Sequence, residues 1–293
     1  MYKLTISGRI VNFIISVILL SIAFAFVYPF IYILFASFSD PFQLSQHTGF
    51  LYRPLGFTLK GYDVAVSYSG IWTGYINTLI IVVLGSIINM ILTIIGAYVL
   101  SRKDLFFYKF LNLFIIFTMF FSGGLIPFYL VVSELGLGNT YWALILPVAI
   151  NTWNLIILRT AISSIPPSLI ESARIDGAND FLLLFRIVVP LVGATLAVLV
   201  LFYVVGHWNS WFNAFLFIRD RSLFPMQLVL REILIQNTGG GAAHQGTALT
   251  EMNLYRHLVQ YCTTVIATVP VLIIFPFLQK HFVKGVLIGS VKG

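Results

Sequence analysis

Long apolar runs recur along nearly the whole chain, and no other feature limits its fold so strongly. A membrane-spanning helix needs about 20 mostly apolar residues. Runs of that kind fall at 10–36, 76–100, 109–132, 141–160, 191–218 and 262–280. Backbone in hydrocarbon must bond to itself, so continuous runs of this length read as helices. The charge content agrees. Only 9% of the 293 residues are charged, whereas a soluble domain carries about 25%. Such a surface could not keep a globule of this size in water. The expected fold is a single all-α membrane domain, residues 1–293, with six transmembrane helices.

The first run follows Lys3 and Arg9, as the core of a signal peptide does. It is long, however, and no small-residue cleavage site follows it, so it reads as a retained span. Between the runs lie three longer polar stretches, 37–75, 161–190 and 219–261, the last containing Gly239-Gly240-Gly241. Six spans place both termini on one side, and lysine and arginine indicate which. Eleven of the 17 basic residues (Lys3, Arg9, Arg102, Lys103, Lys109, Arg159, Arg174, Arg186, Lys280, Lys284, Lys292) fall on the side of the N-terminus. The other six are Arg53, Lys60, Arg219, Arg221, Arg231 and Arg256. By the positive-inside rule both termini are expected in the cytoplasm, together with 161–190. Stretches 37–75 and 219–261 are then external. The net charge of +7 is not a nucleic-acid footprint, because the cations sit at the ends of apolar runs rather than in one patch.

The stretch 161–190 is the most informative. It begins with Pro166-Pro167, and proline suits the first turn of a helix. Gly177 is a natural stop, since glycine takes positive φ without a Cβ penalty. Asn179 or Asp180 then caps a second helix, which Pro190 limits. On that helix Phe181, Leu184, Phe185 and Val188 follow the i, i+3, i+4, i+7 rule of one apolar stripe. The expectation is two short helices at an angle on the inner membrane surface. Their apolar faces would meet the bundle, while Glu171, Arg174, Asp176 and Asp180 would be available to a partner. An amphipathic connector lying on lipid headgroups would produce the same pattern.

Within this stretch Glu171-Ser172-Ala173, Gly177 and the pair Ile187 and Pro190 resemble the Glu-Ala-Ala loop of bacterial ATP-binding-cassette (ABC) importer permeases. Serine replaces the middle alanine. The likeness extends over residues 70–293. Phe121 to Pro127, Trp208-Asn209-Ser210-Trp211, Phe224 to Leu228 and Gly285 to Gly293 are similar to the maltose-permease-like, sugar-importing branch. Within it the resemblance is nearest to permeases for complex oligosaccharides such as the alginate importers. It implies a type-1 ABC importer permease fold in the bacterial cytoplasmic membrane, with 161–190 forming a coupling helix. Glu171, Ser172, Ala173, Asp176, Gly177 and Pro190 would then carry ATPase docking. The implied partners are two ATPase subunits, a second, homologous permease subunit making a heterodimer, and a periplasmic or lipid-anchored solute-binding protein. ATP and magnesium would be bound by the ATPase subunits. This chain carries no G-x-x-x-x-G-K-[ST] phosphate loop, and it is expected to be non-catalytic, with no cofactor of its own.

Polar groups within spans are costly and often mark a substrate path. Asn77, Asn89, Asn151, Asn154, His207, Asn209 and Asn213 are the candidates, and Trp153, Trp208 and Trp211 offer faces for sugar rings. His207-Trp208-Asn209, Trp211, Asn154 and Asn151 form the favoured set. The competing structural roles are interface anchoring for tryptophan and helix-to-helix bonding for asparagine. Arg159 reads as a marker of the cytoplasmic boundary. Cys262, the lone cysteine, reads as a small buried hydrophobe, and no histidine or cysteine spacing suits a metal. An importer for a non-sugar solute shares the Glu-Ala-Ala loop. A secondary transporter would need charged residues within its spans, and the span cores contain none.

Overall fold

The computed structural model describes residues 6–238 and 254–273. Among these, every regular element is a helix; one isolated bridge joins Ser39 and Phe57. In chain order the helices are α1 (Ile6–Ser37), α2 (Pro41–Gln46), α3 (Lys60–Ser67), α4 (Ser69–Ser101), α5 (Tyr108–Phe120), α6 (Leu125–Glu134), α7 (Trp142–Ile145), α8 (Thr152–Ser163), α9 (Pro167–Ile175), α10 (Asp180–Leu183), α11 (Gly193–Trp208), α12 (Phe212–Phe217), α13 (Met226–Thr238) and α14 (254–273).

Among the described residues, two helices, Gly8–Ser37 and Ser69–Ser101, are continuous and apolar enough to cross a membrane, and three bent pairs raise the number to as many as five. Each bend has a local cause. The run expected at 109–132 breaks between α5 and α6 by 111°, at Phe121 to Gly124, where Gly124 has φ +85°. The run at 141–160 bends by 47° after the 3₁₀ turn Leu146–Val148. Pro147 lies in that turn and cannot donate to a helical ladder. The run at 191–218 is not one helix. It bends by 85° at Val192, near its start, and α11 ends at Trp208 before α12 begins. The run at 262–280 lies in α14 as far as Ile273; its remainder, Gly239 to Gly241 and Gly285 to Gly293 lie outside the described residues.

The chain packs as two compact units. One comprises the described parts of Met1–Ser69 and Glu232–Val269. Here the end of α1 is tied to the following stretch: Leu51 N donates to Tyr28 Oη at 2.8 Å, Leu55 N to Ser39 Oγ at 3.0 Å, and Ser37 Oγ pairs with Tyr62 Oη at 2.8 Å. Cys262 is fully buried in α14. A Cβ on Gly61 would lie 2.7 Å from its sulfur, so α3 approaches α14 closely only because Gly61 has no side chain.

The other unit comprises Gly70–Arg231 and the described part of Pro270–Gly293. Its organising element is α4, along which three layers of polar bonds tie neighbouring segments together. Near its start, Asn77 Nδ2 donates to the carbonyls of Ser222 and Phe224 while Oδ1 accepts from Tyr141 Oη, and Thr78 Oγ1 accepts from Met226 N. At mid-length Asn89 and Thr93 bind α11 and the α7–α8 bend. At its end Arg159 donates to the Leu100 carbonyl at 3.2 Å and to Tyr108 Oη at 2.7 Å. In lipid there is little hydrophobic drive between helices, so such bonds and close packing hold them together. An apolar cluster of Ala97, Leu100, Leu155, Leu158, Ile162, Leu183 and Val188 joins α4, α8 and α10 around that last layer.

Candidate functional site

Two places in the second unit concentrate the candidate residues. The first is the turn from α9 to α10. Helix α9 starts at Pro167 and ends in a Schellman cap: Ala178 N donates to the Ala173 carbonyl, and Gly177 N to that of Arg174, each at 3.0 Å. The cap requires a left-handed residue, and Gly177 supplies φ +84°. Asn179 then caps α10 by accepting from Leu182 N at 2.8 Å. Ile170 and Ala173 turn toward the bundle. Glu171, Ser172 and Asp176 are exposed, and Ile175 is 86% exposed.

Three expectations change here. Ala173 is buried, so its small side chain packs α9 against the bundle rather than presenting to a partner. Pro190 lies beyond the turn, in Val189–Leu191, where it shapes the chain ahead of the 85° bend. The stripe of Phe181, Leu184, Phe185 and Val188 does not form. Leu183, Leu184 and Val188 are buried, whereas Phe181 and Phe185 are exposed. The reason is a π-helical turn, Leu184–Val188, in which Val189 N bonds the carbonyl five residues back, on Leu184. Pro190 has no N–H for the Arg186 carbonyl, and its ring would crowd that oxygen in a regular helix. The wider turn brings Leu183 and Val188, five apart, onto one face.

Asp180 and Arg174 do not stand free for a partner. Asp180 Oδ1 accepts from Arg102 Nη1 at 2.7 Å and from Tyr98 Oη at 3.0 Å, and lies 3.6 Å from Arg174 Nη2. Arg102 also grips Asp104, with Nη2 to Oδ2 at 2.6 Å and Nε to Oδ1 at 3.1 Å. The Arg102 guanidinium holds both carboxylates below their usual range, Asp104 at about 2. Sequence reasoning missed Tyr98, Arg102 and Asp104 as parts of this site. The basic pair Arg102-Lys103 drew attention only as a topology marker, and nothing in its spacing points to Asp180.

The second place is a cavity of about 520 Å³ lined by Asn151, Trp153, Asn154, Tyr203, His207 and Ser210, with Val148, Phe202 and Gly206. Asn151 opens α8 by accepting from Asn154 N at 3.0 Å. Helices α4 and α11 meet here in matching four-residue steps: Asn89 Oδ1 pairs with His207 Nε2 at 2.6 Å, and Thr93 Oγ1 with Tyr203 Oη at 2.7 Å. Asn89 Nδ2 donates to the Val148 and Ala149 carbonyls, which the bend exposes. Its Oδ1 therefore accepts, and His207 donates through Nε2. Gly85 makes room for the ring; a Cβ there would lie 2.5 Å from Nε2.

The favoured set divides. Asn151, Asn154 and His207 line the cavity; Trp208, Asn209 and Trp211 do not. Neighbours on a helix point about 100° apart, so His207 and Trp208 cannot share a face. Trp208 is buried with its ring 6.0 Å from Tyr75. Asn209 ends α11, donating to the Val205 carbonyl. Trp211 stacks on the Arg231 guanidinium at 4.3 Å. Asn77 and Asn89 are structural. Asn213 lines a separate, more open hollow of about 650 Å³ beside Ser122 to Leu125.

Both places fall within residues 93–218, which match the model of a family described as the binding-protein-dependent transport system inner membrane component. The chain belongs to that family, and it is a permease subunit of the ABC importer class that the Glu171 to Pro190 segment resembles. Among its relatives is the polygalacturonan/rhamnogalacturonan transport system permease protein YtcP of Bacillus subtilis (strain 168), 41% identical over 288 residues, which cover 98% of this chain and 99% of that one. Protein LplC of the same organism is 41% identical over 270 residues, covering 91% and 90%. The crystal structure of a bacterial ABC transporter involved in the import of the acidic polysaccharide alginate contains a chain that superposes with a TM-score of 0.87 at 29% identity, covering 96% of this chain and all of that one.

Proposed function

We propose that this chain is one of two homologous permease subunits that carry an oligosaccharide across the bacterial cytoplasmic membrane, driven by ATPase subunits docked on the turn from α9 to α10. The carrying observation is the two-sided character of that turn. Its inner face is built into the bundle through Ile170, Ala173, Leu183 and Val188. Its outer face leaves Ile175 uncovered beside Glu171 and Asp176. An exposed large apolar side chain on a rigid, capped turn suits a protein partner better than water. The reading keeps six spans, with both termini and the turn in the cytoplasm and a solute-binding protein on the outer side. A sugar cargo is supported by the names of the 41% identical YtcP and the alginate importer. The cavity lined by Trp153 and the donors of Asn151, Asn154, Ser210 and His207 suits a sugar's hydroxyls and its ring face.

A thiol placed at the turn tests docking. Cys262 is buried, so Ile175→Cys supplies the accessible thiol. Cross-linking in membranes holding the complete complex is expected to trap an ATPase subunit. Cross-links to lipid reagents alone would show that the turn is a headgroup connector.

A further inference from the structure

Asp180 occupies an unusual place for a residue beside a docking surface. It is the first residue of α10, directly after the cap Asn179, yet its carboxylate is turned back onto the chain. One oxygen gathers Arg102, Tyr98 and, more distantly, Arg174. These come from the end of α4, the stretch after it and the end of α9. Arg102 is in turn held by Asp104 through two of its nitrogens, which fixes the plane of its guanidinium. The Asp180 and Asp104 side chains are 56% and 58% exposed, so this network adds little to stability. Its contribution is directional. A rigid fork with two carboxylates in fixed positions leaves α10 and α4 few orientations relative to each other.

We propose that Asp180 is a positioning residue for coupling: through Arg102 and Tyr98 it joins the α9–α10 turn to α4, so that displacement of the turn rotates or shifts α4 as one body. This rests on the reading of that turn as the ATPase-docking element. Helix α4 is the element to move, because its mid-length residues Asn89 and Thr93 hold His207 and Tyr203 of the cavity wall. A push at the turn thus reaches the cavity through α4, without passing along α11 beyond the bend at Val192. The apolar cluster below the ion pair keeps turn and helix in contact. It does not fix their angle, since apolar contacts are not directional.

The test uses the complete complex in proteoliposomes, with sugar transported per ATP hydrolysed as the readout. Asp180→Asn and Arg102→Gln are each expected to lower that ratio about five-fold, the lower range of an allosteric coupling. The double variant should be no worse than either single one, because both remove the same joint. Tyr98→Phe, which deletes one donor, should fall between. A purely structural role would lower the yield or thermal midpoint and leave the ratio unchanged. Wild-type ratios in both single variants, or losses that multiply in the double variant, would overturn the proposal. The docking reading is scored separately by retention of the ATPase subunit. If the variants keep the subunit and the wild-type ratio, only the joint fails. If the wild-type chain itself holds no ATPase subunit, the docking reading and the joint fall together.

Discussion

Two glycines carry opposite constraints, and the difference sets what a substitution does. At Gly85 the backbone is ordinary helix, but a Cβ would overlap the His207 ring at 2.5 Å. Gly85→Leu must therefore displace His207 from Asn89. We expect a sharp fall in sugar uptake with the ATPase subunit still bound; unchanged uptake would show that His207 has no part in the path. At Gly177 a Cβ would meet nothing within 4 Å, but φ is +84°. The cost of a branched side chain there is backbone strain, about 1–2 kcal/mol, concentrated in the cap. Gly177→Val should leave the protein in the membrane and uncouple hydrolysis from transport. Gly177→Asn, which tolerates the left-handed region better, should uncouple less. Equal transport per ATP in both variants and the wild type would contradict the role given to the cap.

At the scale of elements, the Asp180–Arg102–Asp104 network makes a prediction about pH. Both carboxylates are held below the ordinary range by Arg102. A depressed carboxylate contributes fully above its unfolded value, about 3.9, and loses that contribution only as pH falls through its folded value. Between about pH 5 and 8 nothing in the network titrates. The deficit of Asp180→Asn in transport per ATP should thus be constant across that window; a deficit that vanished toward pH 5 would mean that Asp180 is not paired as described. This network was illegible in the sequence, since Arg102 and Asp180 meet only through the packing of α4 against α10. The cap was legible, because Gly177 and Asn179 act on their own backbone. The stripe on α10 failed for an intermediate reason. Its spacing assumed 3.6 residues per turn, and Pro190 imposes a wider turn from outside the stripe. The His207-Trp208-Asn209 cluster divides because adjacent residues in a sequence diverge around a helix, leaving only His207 of the three at the cavity.

For the molecule as a whole, the described parts of the apolar runs are helical, but the runs do not disclose the breaks within them. Phe121 to Gly124 and Ala149 to Asn151 lie inside predominantly apolar runs, and the second bend opens backbone that another residue then uses. The Val148 and Ala149 carbonyls, bonded by Asn89, are that backbone. The helix breaks that hydropathy conceals are therefore where the cavity is built. Family membership assigns such a chain to an assembly, and the proposed function gives the turn and the cavity two separable tasks: receiving motion and passing sugar. Both are tested together by oligosaccharide uptake into proteoliposomes containing this chain, its second permease, the ATPase subunits and the binding protein. Uptake is expected to require ATP inside the compartment holding the ATPase and to stop when any one component is omitted. Full uptake by this chain alone, without ATP, would contradict the proposed function.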